Sequence, residues 1–229
     1  LAVGKDFSVA RVQTVQKNSR VVDLYFYLKF ADGWKINSTR AMAQTGWLES
    51  AVETLKNEAA PTAEVKELLA NAELTLSSDK TLTGWFQTNR LALNNLAARA
   101  LVETKPKPEK VRLPPKIKKR RTSIGTTDAV AVTENRVDYG NRENDEPQTI
   151  ERITAATQRF PKSAAALKNL HFTALETKSD GSIEFTIGGV TDNTVGFIYS
   201  PKAAPPQIDG WRYIWVEKLA AGWYLFRTT

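Results

Sequence analysis

Nucleophile and base chemistry has little support in the residue types of this chain. The 229 residues include no cysteine and one histidine, His171. A serine triad needs an imidazole, a thiolate site needs cysteine, and zinc sites are mostly built from several histidines or cysteines. The sequence also contains no G-x-S-x-G elbow and no glycine-rich phosphate loop. We therefore predict no catalytic residue, no cofactor and no metal site, and interpret His171 as an ordinary, partly buried side chain.

Two carboxylates alone are enough for hydrolysis, so a carboxylate-only hydrolase stays open. The densest acidic group is Asp138, Glu143, Asp145 and Glu146. It lies in the least periodic part of the sequence, where a rigid acid–base pair is hard to hold, and it lacks the spacing of a calcium-binding EF-hand loop. We interpret it as a solvated acidic loop.

A basic segment, KPKPEKVRLPPKIKKRR, occupies residues 105–121. Its net charge is +8, and the net charge of the whole chain is +7. The residues before and after the segment therefore carry almost no net charge between them. Four prolines remove backbone donors and favour an extended conformation. We predict that this basic arm binds a partner through its nine cationic side chains: Lys105, Lys107, Lys110, Arg112, Lys116, Lys118, Lys119, Arg120 and Arg121.

The partner of the basic arm is predicted to be a protein or another polyanion. Proteins that bind single-stranded nucleic acid usually place aromatic residues between the basic ones so that bases can stack. The arm contains no aromatic residue. Any binding to nucleic acid would therefore be nonspecific and based on phosphate contacts. An acidic membrane surface and a simple tether between two domains are the other interpretations.

Aromatic residues near the C-terminus form a second candidate surface. Alternation along the strand that begins at Trp211 places Trp211, Tyr213 and Trp215 on one face, and Trp223 follows on the next strand. Both faces of this hairpin are partly apolar. The hairpin either packs between two layers or exposes these four aromatic rings to a ligand or partner.

Strands and helices alternate in composition before the basic arm. Residues 7–17 and 20–30 have the alternation and the β-branched and aromatic content of two strands, and a third, short strand begins at Trp34. Asn37 and Ser38 are suitable caps for a first helix. Two further helices are predicted from Pro61 and over residues 81–103.

The part after the arm is predicted as a helix over residues 147–160, a short helix that can start at Pro161 and run through Leu170, and then about five antiparallel strands. The fold class is therefore α+β, with an N-terminal β-hairpin plus three helices and a C-terminal helix on an antiparallel β-meander. We divide the chain into an N-terminal α+β domain over 1–104, an extended basic-then-acidic linker over 105–147, and a C-terminal α+β domain over 148–229. No apolar run approaches the roughly 18 residues of a transmembrane helix.

These observations favour a non-enzymatic structural or interaction subunit of a larger assembly. It would dock through the basic arm and through the aromatic C-terminal sheet. Two alternatives remain: an extracytoplasmic domain that binds a small molecule or glycan, and a nonspecific nucleic-acid-binding protein. The absence of cysteine suits a secreted, periplasmic or virion-associated protein, and equally a cytosolic domain.

Overall fold

The computed structural model describes residues 2–4, 6–17, 19–40, 45–57, 59–103, 129–133, 136–143, 146–154, 161–177, 181–190, 193–201, 206–208 and 212–228. Within these ranges it has two antiparallel sheets and four helices. This confirms the predicted α+β class. The basic arm and Trp211 lie outside the described residues.

The N-terminal strands form a four-stranded sheet in the order β1-β2-β3-β4. Its strands are β1 (Ala2–Val3), β2 (Phe7–Val15), β3 (Val21–Phe30) and β4 (Trp34–Arg40). The predicted hairpin is β2–β3. It pairs Val15 with Val21 and Phe7 with Lys29, so residues with the same alternation share a face.

The third strand is longer than predicted. Asn37 and Ser38, which were predicted to cap a helix, lie within β4. The prediction was wrong because hydrogen-bonded pairing with β3, which extends to Arg40 opposite Tyr25, outweighs the capping preference of these two residues. The first described helix spans Thr45–Lys56.

The helices are α1 (Thr45–Lys56), α2 (Ala63–Thr75), α3 (Asp79–Glu103) and α4 (Pro161–Asn169). The hydroxyl of Thr62 caps α2 by accepting a hydrogen bond from the Val65 backbone N–H. The three helices predicted before the basic arm are thus present. In the second half of the chain, the short helix predicted from Pro161 is present as α4, whereas residues 147–154, which were predicted as part of a helix, lie on a strand.

The second sheet has eight strands in the order β11-β12-β10-β9-β8-β5-β6-β7. The ranges are β5 (Ala129–Thr133), β6 (Arg136–Glu143), β7 (Glu146–Thr154), β8 (Ala174–Thr177), β9 (Ile183–Val190), β10 (Asn193–Tyr199), β11 (Tyr213–Ala220) and β12 (Trp223–Thr228). Strands β8 to β12 form the predicted C-terminal antiparallel strands.

Strands β5, β6 and β7 depart from the prediction, which gave a linker up to residue 147 and a helix over 147–160. Ile150 and Ile153 are three residues apart and fit a helical stripe, but they lie on β7. Pro147 is tolerated there because β7 is the edge of the sheet, where a proline removes no hydrogen bond to a further strand. Asp138, Glu143 and Glu146 of the acidic group belong to these strands, while Asp145 is outside the described residues.

One hydrophobic core joins the helices to the second sheet. Phe86 of α3 packs against Phe197 of β10 and Trp223 of β12, with ring centroids 5.6 and 5.5 Å apart. Buried residues of α3, α4, β8, β9, β10 and β12 belong to the same cluster. Residues from both predicted domains, 1–104 and 148–229, thus contribute to this shared core.

Candidate functional site

The most buried charged group in the described part of the chain is Asp79, at the start of α3, with 1% of its surface exposed. Three elements converge on it. Its Oδ1 accepts a hydrogen bond from Arg227 Nε of β12 (2.8 Å). Its Oδ2 accepts from Arg11 Nη1 of β2 (2.8 Å) and from the Tyr25 hydroxyl of β3 (2.7 Å). We call these four residues together with Asp23 and Glu217 the charged junction.

Asp23 completes the inner part of the junction by binding the helix end. Its Oδ2 accepts a hydrogen bond from the Asp79 backbone N–H at 2.6 Å, which satisfies one of the free donors in the first turn of α3. Carboxylates are also favoured at this end of a helix by the helix dipole. The first turn of α3 is therefore held in part by the four-stranded sheet, which we call the small sheet.

The pKa values describe a junction with fixed charges. Burial opposes ionisation of Asp79, but the Arg227 charge and the hydrogen bonds from Arg11, Tyr25 and Arg227 outweigh it and lower the pKa of that carboxyl. Burial is also the main reason that the pKa of Tyr25 lies well above its usual value. Asp79 is thus ionised and Tyr25 neutral near pH 7. Neither has the pKa near neutrality that acid–base catalysis favours.

The outer edge of the junction reaches solvent through Arg11 and Glu217. Arg11 Nη1 lies 2.7 Å from Glu217 Oε2, and the Arg11 guanidinium is 5.1 Å from the centroid of the Trp215 ring. The Trp215 indole N–H also donates to Glu217 Oε2 at 3.3 Å. Every charged group of the junction has a partner within it, so the arrangement is suited to fastening the small sheet to α3 and the β11–β12 hairpin.

The predicted aromatic surface is largely internal. Tyr213, Trp215 and Trp223 are buried, each in a different cluster, and Trp211 is outside the described residues. A register shift between Tyr213 and Trp215 separates residues that simple alternation places on one face. Trp215 packs against Tyr25 of the small sheet at 5.8 Å, so this hairpin takes the predicted alternative of packing between two layers.

A cavity of about 400 Å³ lies between α1, the end of α2 and the start of β3. Its lining cations are already neutralised: Arg20 pairs with Glu49, and Lys56 Nζ lies 2.6 Å from Glu73 Oε1. Arg20 Nη2 also donates to the Leu76 carbonyl at 2.7 Å. The cavity therefore offers few free charged groups to a ligand.

The contacts of His171 connect it to neighbouring elements of the fold. Its backbone has φ 58°, a left-handed conformation that suits the turn between α4 and β8. Its carbonyl accepts a hydrogen bond from Asn71 Nδ2 at 2.6 Å, and the same amide donates to the Ile187 carbonyl at 2.6 Å. Its Nδ1 is buried without a hydrogen-bond partner. Among the described residues, no three His, Cys, Asp or Glu side chains are grouped so that they could hold a metal ion.

The four-stranded sheet has one face that is apolar and open. The strand register places Val12, Leu24, Phe26, Leu28, Phe30, Trp34 and Ile36 together on what we call the outer face. Trp34 is 49% exposed and Ile36 is 63% exposed, and Phe30 and Val12 are exposed as well. The Phe30 and Trp34 rings meet edge to face at 5.4 Å. The opposite, inner face packs against β11 through Tyr25 and Val9.

Sequence reasoning missed both the charged junction and the outer face. Asp79 and Arg227 are 148 positions apart, and nothing local to either residue indicates the other. The outer face had a usable signal, since Trp34, Lys35 and Ile36 alternate in the manner of a half-exposed strand. That signal was cut short by the helix cap predicted at Asn37.

Comparisons with known proteins do not assign the chain to a family. The chain matches no protein-family description, no curated protein and no solved structure. Within the part of the chain that the structure describes, none of the helices has the length and apolar character needed to cross a membrane.

Proposed function

We propose that this chain is a non-enzymatic interaction subunit that binds other components of a larger assembly. Two surfaces would dock: the basic arm, residues 105–121, and the outer face of the four-stranded sheet. The observation that carries the proposal is the outer face, where Phe30, Trp34 and Ile36 are exposed at neighbouring cross-strand positions and Val12 is exposed further along the same face. Contiguous exposed apolar surface of this kind is typical of interaction sites.

Two further observations support docking over catalysis. The charged junction has its carboxylates, guanidinium groups and phenol bound to one another, which leaves no free acid–base pair there. Tyr213, Trp215 and Trp223 are buried, which removes three of the four rings on which a small-molecule or glycan site would rest. Nonspecific binding of nucleic acid through the basic arm remains a proposal for that segment alone.

A photo-crosslinking amino acid at position 34 tests the outer face. It is introduced into the full chain expressed in its native cells, with position 91 as the matched control, because Leu91 is an exposed apolar residue on α3 far from this sheet in sequence. We expect discrete protein adducts from position 34 that disappear when Phe30→Ser and Ile36→Ser are combined. Identical adducts from both positions, or none from position 34, would show that the outer face does not dock.

Neutralising the end of the basic arm tests the other surface. The five changes are Lys116→Gln, Lys118→Gln, Lys119→Gln, Arg120→Gln and Arg121→Gln. We expect weaker assembly with an unchanged melting temperature. Binding of a mixed-sequence DNA measured at increasing salt gives the nucleic-acid alternative its own readout, since phosphate contacts predict a steep loss of affinity with salt.

A further inference from the structure

Strand β4 is the open edge of the four-stranded sheet. In the described part of the chain it pairs only with β3, and its residues are exposed or half-exposed. The corresponding edge of the eight-stranded sheet at β11 is different, because Ile214 and Trp215 pack against the small sheet. An exposed edge strand presents unpaired backbone donors and acceptors that another strand can use.

The two faces of β4 differ in chemistry. Trp34 and Ile36 lie on the apolar outer face, whereas Lys35 and Arg40 lie on the other side, opposite Lys29 and Tyr25 respectively. Lys29 and Lys35 are exposed and sit directly across from each other. Like charges in directly opposed cross-strand positions destabilise a sheet. An anion placed between the two ammonium groups would relieve that repulsion.

Among the described residues, these two lysines have no ion-pair partner. Within the described residues, the carboxylates that form ion pairs do so with other cations, and neither Lys29 nor Lys35 takes part. The nearest acidic residue in sequence, Asp32, lies in the turn between β3 and β4. The edge of the sheet thus combines an apolar side with an uncompensated basic side.

We propose that β4 accepts an extended segment of a partner protein as an added strand, and that this segment alternates carboxylate and apolar residues. Backbone hydrogen bonds to the β4 edge would provide affinity, and the side-chain alternation would provide specificity. Apolar side chains would extend the outer face beside Trp34 and Ile36. Carboxylates would lie beside Lys35 and Arg40. This inference rests on the proposed docking function and specifies the chemistry of the partner.

Charge also argues against a second copy of this chain as the occupant. Strand β4 carries Lys35 and Arg40 and no acidic residue, so two copies of it would bring like charges together. The register shifts between Tyr27 and Leu28, which leaves Asn37 as the extra residue on β4. Lysines and bulges on edge strands are common devices against self-pairing. An acidic partner strand would neutralise the lysine charge and so remove the first of these two obstacles to pairing.

The test uses a fluorescently labelled Glu-Val-Glu-Val-Glu-Val peptide and the full chain. Binding is followed by anisotropy, and amide hydrogen exchange locates the contact. We expect binding that weakens with salt, together with slower exchange over residues 34–40. The combined variant Lys29→Glu/Lys35→Glu should bind this peptide about tenfold more weakly and should gain affinity for a Lys-Val-Lys-Val-Lys-Val peptide.

Controls separate strand addition from charge attraction alone. Lys66→Glu/Lys80→Glu makes the same change in net charge on exposed helical lysines and should leave binding within about twofold. A Glu-Val peptide with alternate N-methylated amides keeps its side chains but loses donors, so it should not bind. Equal loss in both charge variants, or full binding of the N-methylated peptide, would overturn the proposal.

Three remaining outcomes separate this inference from the function on which it rests and from binding to a lipid surface. Adducts from position 34 without any protection of residues 34–40 by the peptide would keep the docking function and refute strand addition. Absence of adducts together with absence of peptide binding would refute both strand addition and docking through the outer face. Binding of the full chain to phosphatidylserine vesicles, lost in Lys29→Glu/Lys35→Glu while the peptide fails to bind, would assign the edge to a lipid surface instead.

Discussion

Replacing Asp79 by asparagine is the sharpest test of the charged junction. The change keeps the size of the side chain but removes its charge. Arg227, whose side chain is 5% exposed, then loses the ionised partner that lies 2.8 Å away. If the amide nitrogen takes the place of Oδ2, it cannot accept the hydrogen bonds that Arg11 and Tyr25 donate there. Breaking a buried ion pair on one side costs about 3–5 kcal/mol. Typical domains have a total stability of only about 5–15 kcal/mol, so the loss would be large.

The matched control is Glu217→Gln. Glu217 binds the same Arg11 guanidinium at 2.7 Å, but its side chain is 32% exposed. Solvent screens that pair, so we expect a loss of about 0–1 kcal/mol. Urea denaturation of both variants and the parent protein at pH 7, followed by far-UV circular dichroism, gives the free energies of unfolding. If Asp79→Asn costs no more than Glu217→Gln, the buried pair does not stabilise the fold as we argue.

The pH dependence follows from the lowered pKa of Asp79. Its folded-state pKa lies below the ordinary value of 3.8, so the ionised carboxylate contributes stability above pH 3.8 that is lost as the pH falls through the folded-state pKa. The difference in unfolding free energy between the parent protein and Asp79→Asn should therefore be constant near neutrality and shrink below about pH 4. A difference that grows on acidification would contradict this assignment.

Two pairs of substitutions test the shared core. Phe86→Ala should lower the free energy of unfolding by about 3–5 kcal/mol because it leaves a void among buried rings. Leu91→Ala, at an exposed position, should change it by about 0.5 kcal/mol or less. Comparable denaturation midpoints for the two variants would refute the core assignment. Gly196→Ala should destabilise the protein strongly because a Cβ would press on the Phe185 backbone, whereas Gly84→Ala, which meets no atom within 4 Å on α3, should stabilise it by about 0.5–1 kcal/mol. Thermal melts of the two glycine variants should therefore shift in opposite directions.

Local patterns allowed much of the fold to be predicted. Ile183, Phe185 and Ile187 alternate in sequence, and the structure buries all three in the shared core. The long apolar stripe of α3, including Leu82 and Phe86, was equally readable. Such patterns work because a strand or helix repeats its buried face at a fixed period, whatever it packs against.

The misread elements depend on pairing between segments. Ile150 and Ile153 satisfy helical spacing, and only the pairing of β7 with β6 decides in favour of a strand. Likewise, Tyr213 and Trp215 alternate correctly, yet a bulge sends them to different clusters. The sequence does not state which segment will be the neighbour, so tertiary pairing overrides the local preference.

The candidate site was the least predictable part. The charged junction draws on five separate segments, and the individual residues look like ordinary surface charges in sequence. The outer face became visible only when the register of β2, β3 and β4 placed its apolar residues together. The basic arm, which dominates the charge of the sequence, lies outside the described residues.

The long span between Asp79 and Arg227 has a consequence for how the protein is made. Ribosomes add residues from the N-terminus onward, so Asp79 is synthesised 148 residues before Arg227, the more buried of the two guanidinium groups that pair with it. Until β12 has emerged, α3 also lacks Trp223, the ring against which Phe86 packs. Contacts this distant in sequence slow folding. Until then the nascent helix has an uncovered apolar face, so the shared core can close only after β12 has been synthesised.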